Sequence, residues 1–153
     1  LAPVSISNGI DWSLDGTWMY YVDSTAQRID VFAFDVATGS ISDRRTFAEI
    51  DPVDGPPDGL TVDAEGHVWL ALWDGWALRR YRPDGTLERI VDLPVSNVTS
   101  CAFGGDDLGD LYVTSASKGL SDAELRAQPH AGSLFVFRPG VAGRVANRAS
   151  LTA

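Results

Sequence analysis

Apolar residues fall along this chain in short runs, often at every second position, and Gly, Asp and Asn interrupt them at close intervals. That rhythm predicts strands joined by tight turns. Residues 6–12 form the first run and carry Asn8-Gly9 near their start. Asp15-Gly16 is a hairpin signal, and the apolar run Trp18-Met19-Tyr20-Tyr21-Val22 follows it. Residues 29–35 alternate with period two until Thr38-Gly39 ends them, and 44–50 fit a fourth, outer strand.

The same order then recurs. Residues 59–63 precede the turn Glu65-Gly66 and the run 67–72; residues 77–82, the turn Asp84-Gly85 and residues 87–91 complete the unit. A third unit starts at Ser100-Cys101-Ala102-Phe103, continues through 111–115 and, after an insertion, resumes at 132–137. Asn8 and Asp58 stand 50 residues apart, and Gly59 and Cys101 stand 42 apart. A period of about 40–50 residues with four short strands per unit is the signature of β-propeller blades. A sandwich would leave the matched order of turns unexplained. The expectation is an all-β propeller with blades over about 6–50, 57–93 and 99–138. Within the insertion, Ser121-Asp122-Ala123-Glu124 fits a capping box and Pro129 stops the short helix that follows. Such a helix would sit at a propeller face, as a lid or as an ordinary surface excursion.

Three blades make half of a six-bladed ring, and an open half would expose apolar faces and unpaired strand edges. The chain is therefore expected to cover roughly the last three blades of a six-bladed propeller. The N-terminal half would lie upstream; failing that, a homodimer would complete the ring.

Charge narrows the partners. Twelve basic residues against 21 acidic ones leave a net charge of −9, which argues against nucleic acid and against an anionic membrane surface, and is compatible with binding a cation. No apolar run approaches the roughly 20 residues of a membrane helix. Cys101 is the single cysteine, so no internal disulfide calls for an oxidising compartment, and the expected location is cytoplasmic. Cys101 reads as a small core residue, because no nearby His would activate it. His67 and His130 are isolated and make no zinc site. The 106–110 acidic stretch lacks EF-hand spacing, and there is no G-x-S-x-G elbow.

The stretch with most chemical promise is Pro56-Pro57-Asp58-Gly59-Leu60. Two prolines hold the approach to Asp58 extended, and a carboxylate on a stiff turn at the mouth of a strand can hold a metal or take a proton. Pro-Asp-Gly is equally plain turn chemistry, as is Asn8-Gly9. Asp23, at the end of an inner strand, is a hairpin cap or a partner of the site. Thr99 and Ser100, where the third blade begins, are candidates to line a pocket.

The run 7–13 (Ser-Asn-Gly-Ile-Asp-Trp-Ser), Tyr20-Tyr21-Val22-Asp23-Ser24, Pro57-Asp58-Gly59-Leu60, Val68-Trp69-Leu70-Ala71, Thr99-Ser100-Cys101-Ala102-Phe103 and Gln128-Pro129 come in an order that resembles the SMP-30/gluconolactonase/regucalcin family. The resemblance spans nearly all of 6–137 and covers that family's C-terminal half. It implies a six-bladed propeller lactonase with one divalent cation on its axis, calcium or zinc, with manganese and magnesium as further candidates. By similarity Asn8 and Asp58 are metal ligands, and Asp58 doubles as the catalytic base. A third ligand, a Glu, and the sugar-gripping residues of the family have no counterpart here, so this piece alone is expected to bind metal weakly and to be inactive. The implied reaction is hydrolysis of a sugar lactone to an aldonic acid, the cation polarising the carbonyl and activating water. Two rival readings are a phosphotriesterase or esterase on the same scaffold and a non-catalytic calcium-binding propeller.

Overall fold

A computed structural model of the chain describes residues 3–146. It contains three antiparallel sheets, each built from consecutive strands in meander order. The first consists of β1 (Ser7–Trp12), β2 (Trp18–Asp23), β3 (Arg28–Phe34) and β4 (Ile41–Glu49). The second consists of β5 (Pro57–Val62), β6 (Val68–Leu72), β7 (Ala77–Tyr81) and β8 (Leu87–Asp92). The third pairs β9 (Val98–Gly104), β10 (Asp110–Ser115) and β11 (Leu134–Phe137). The sheets stack as neighbouring blades of a β-propeller.

Stacking explains the sequence pattern. Every residue of β6 is buried, yet its side chains serve two interfaces by strand alternation. Val68, Leu70 and Leu72 join Tyr20, Val22, Ile29 and Val31 of the first blade, while Trp69 and Ala71 join Val98, Cys101, Leu111 and Val113 of the third. A middle blade is covered on both faces, so β6 reads as a continuous apolar run. On the far face of the first blade, Met19, Tyr21 and Phe32 form a smaller cluster with Trp12, Phe34 and Ile41.

Three features depart from the expected layout. The outer strand of the first blade begins at Ile41, before 44, because Asp43 takes a positive φ of 50° and breaks the alternation that would have marked it. The third blade has three strands among the described residues; β11 is its outer edge, with Leu134 and Val136 exposed. After β11 the chain crosses the ends of the sheets: Ala64 N–H donates to Ala142 O (2.9 Å), Gly143 N–H donates to Leu108 O (2.8 Å), and Arg144 pairs with Asp11.

The excursion between β10 and β11 carries α1 (Asp122–Ala127), whose N-cap Ser121 and Glu124 form the reciprocal capping box. Gln128 anchors it, accepting from Ser96 N–H at 2.7 Å.

A buried polar hub locks the second blade. Asp63 is fully buried and accepts from Glu65 N–H (2.9 Å), His67 N–H (3.0 Å), Trp69 Nε1–H (2.9 Å) and Arg80 Nε–H (2.8 Å). These bonds close the β5–β6 turn and tie it to β7, and they compensate the desolvation of a charge that would otherwise be very costly there.

Candidate metal centre

The first strands of the blades all begin at one face. Ser7 stands opposite Asp23, Pro57 opposite Leu72, and Val98 opposite Ser115. Just beyond each of these pairs the register slips, between Ser7 and Ile10, between Pro57 and Leu60, and between Val98 and Ser100. Each slip is a β-bulge, which re-aims side chains next to it. The bulges hold Asn8-Gly9, Asp58-Gly59 and Thr99. The two Gly-containing pairs therefore lie inside strands, where their composition alone suggested turns.

The glycines are there for room. Neither Gly9 nor Gly59 has a positive φ. A Cβ on Gly9 would stand 2.7 Å from Leu60 N and 2.8 Å from Asp58 O; one on Gly59 would stand 2.3 Å from Ser100 Oγ and 2.8 Å from Thr99 O. Only a residue without a side chain lets β1 meet β5, and β5 meet β9, this closely. The close approach brings Asn8 beside Asp58.

Asp58 is half-buried. Burial pushes its carboxyl above the ordinary aspartate value, and the neighbouring Asn8 amide and the Gly59 N–H pull partly the other way. Among the described residues no Arg or Lys contributes to the balance. A partly desolvated carboxylate with no cationic partner among the described residues, next to an amide, forms an oxygen donor pair that suits a hard or borderline divalent cation. Two side chains are an incomplete shell for such an ion, and among the described residues no group of three or more His, Cys, Asp or Glu comes together.

The other sequence candidates lie around this pair in different roles. Asp23 caps the short turn Ser24–Ala26 and accepts from Ser5 N–H, Ile6 N–H, Thr25 N–H and the Thr25 hydroxyl. The two backbone bonds from Ser5 and Ile6 lead in holding its pKa down at about 2. Thr99 turns along its own blade, 2.8 Å from the Thr114 hydroxyl, whereas Ser100 lies against Gly59. Cys101 is buried in the core, and burial pushes its thiol up to about 12. One contact escaped sequence reasoning: Asn8 Nδ2 donates to the Ser24 hydroxyl at 3.1 Å.

The model for the "SMP-30/gluconolactonase/LRE-like region" matches residues 1–117. The chain belongs to this family. It is 44% identical over 133 residues to regucalcin from Gallus gallus, an alignment that covers 86% of this chain and 44% of that protein. Among solved structures it resembles a calcium-binding regucalcin from Agrobacterium tumefaciens with a TM-score of 0.86 and 36% identity, over 92% of this chain and 48% of the other. A gluconolactonase from Xanthomonas campestris follows with a TM-score of 0.64 and 29% identity, over 74% of this chain and 36% of the other. The chain thus spans about half the length of the regucalcin it matches. Membership supports a lactonase-type or a calcium-binding function.

Proposed function

We propose that the whole protein is a metal-dependent hydrolase that opens a sugar lactone to the aldonic acid, and that this chain supplies half of its ring. Three blades in a chain about half the length of its relative point to six in total. The missing blades would cover the open faces of the first and third blades and complete the cation's ligands.

The observation that carries this reading is the convergence of β1 and β5, which sets the Asn8 amide beside an Asp58 carboxylate that no Arg or Lys among the described residues neutralises. A divalent cation held by Asn8 and Asp58, whether calcium, zinc, manganese or magnesium, would supply Lewis-acid polarisation of the lactone carbonyl. Asp58 would accept the proton of the attacking water and hand it to the ring oxygen as the acyl C–O bond breaks, a general acid–base role that contributes typically 10²–10⁴-fold. The likeness to the Xanthomonas gluconolactonase supports the reaction class.

The calcium-binding name of the Agrobacterium relative favours one alternative, a propeller that binds calcium without turnover. Lactone hydrolysis by the whole protein, assayed with each of the four cations, separates the two. The enzyme reading expects metal-dependent turnover that Asp58→Asn lowers by about 10² or more. Cation binding without turnover under any of the four metals would refute it.

A further inference from the structure

We infer that Ser24 is a positioning residue that fixes which edge of the Asn8 amide carries oxygen. This inference rests on the reading of Asn8 as a cation ligand. An amide is two-faced: only its oxygen can ligate a hard cation, and its nitrogen must point elsewhere. Asn8 sits on a bulge, where the strand ladder is interrupted and does little to orient it. Its Nδ2 donates to Ser24 Oγ at 3.1 Å. Pinning Nδ2 fixes the direction of Oδ1.

Ser24 is itself held firmly. It is 8% exposed, and its N–H donates to Ile6 O at 3.0 Å. The preceding Asp23 grips the Ser5 and Ile6 N–H groups, both at 3.0 Å, and caps the turn through Thr25. The Asp23-Ser24 pair therefore holds the backbone that leads into Asn8 and the Asn8 side chain together. A residue one shell out from a ligand commonly changes metal affinity by about 10–100-fold through such orientation.

The test uses the whole protein and two readouts. Without metal, NMR should show one Asn8 side-chain amide proton displaced from the position of a free amide and protected from exchange with solvent, and Ser24→Ala should return it toward that position and speed its exchange. With calcium, calorimetry should show Ser24→Ala weakening binding by about tenfold or more. Asn8→Asp supplies the control: a carboxylate has oxygen on both edges, so in that background Ser24→Ala should leave calcium affinity nearly unchanged. An unaltered amide signal in Ser24→Ala overturns the inference, as does a loss of affinity that persists in the Asn8→Asp background, which would mark Ser24 as merely structural. If the parent protein binds no cation while Ser24→Ala still frees the amide, the ligand reading of Asn8 falls and the orienting contact stands.

Discussion

Gly59→Ala tests whether the site is assembled by close packing of the first strands. A Cβ at Gly59 would meet Ser100 Oγ at 2.3 Å, Ser100 Cβ at 2.6 Å and Thr99 O at 2.8 Å. Ordinary contact lies near 3.5 Å, so Ser100 or the β5 backbone must shift by about 1 Å. Overpacking of this kind costs about 1–3 kcal/mol. Two of the three offending atoms belong to the Ser100 side chain, so Ser100→Gly should relieve most of the clash. The double variant should then recover about 1 kcal/mol or more relative to the sum of the single changes. Urea denaturation of the parent, the two single variants and the double variant completes the cycle. Calcium affinity should fall in Gly59→Ala and recover in the double variant, since Asp58 moves with its neighbour. Additive effects, or a Gly59→Ala protein as stable as the parent, would refute close approach as the reason for glycine here.

Three further outcomes follow from the same geometry. Asp63→Ala should destabilise by about 3 kcal/mol or more, because it leaves the Glu65 and His67 N–H groups and the Trp69 indole without their buried acceptor while Arg80 keeps Glu65 and Glu88, and chemical denaturation followed by Trp fluorescence reads it. Burial raises the Asp58 pKa, so its charged form is disfavoured in the folded state above the ordinary aspartate value; Asp58→Asn should therefore raise the melting temperature in chelator at neutral pH while removing calcium binding. Asp23 has its pKa lowered to about 2 from 3.8, so its stabilising share is complete above the unfolded value and is lost as pH falls toward 2. Asp23→Asn should flatten the acid limb of a stability–pH curve, and an unchanged limb would show that the clamp on Ser5 and Ile6 contributes nothing.

Much of the architecture was legible because strands and tight turns are local. Period-two runs, Asp-Gly and Glu-Gly turns and the Ser121–Glu124 capping box depend on residues a few positions apart, and each lies where its residues placed it. Sequence alone, however, read Asn8-Gly9 and Asp58-Gly59 as turns, since Gly after Asn or Asp serves a turn and a crowded bulge equally well. Which one holds depends on what lies across the gap: Leu60 and Asp58 for Gly9, Thr99 and Ser100 for Gly59, partners about 40–50 positions away. The Ser24 contact to Asn8 and the crossing segment at 142–144 are likewise long-range, and no local pattern announces them. Local composition was enough to set the strands, their meander order and the presence of an amide and a carboxylate at matching points of two repeats. Tertiary structure decided that those points meet, because burying both faces of the middle blade forces β1, β5 and β9 together, and only glycine leaves their backbones room to do so.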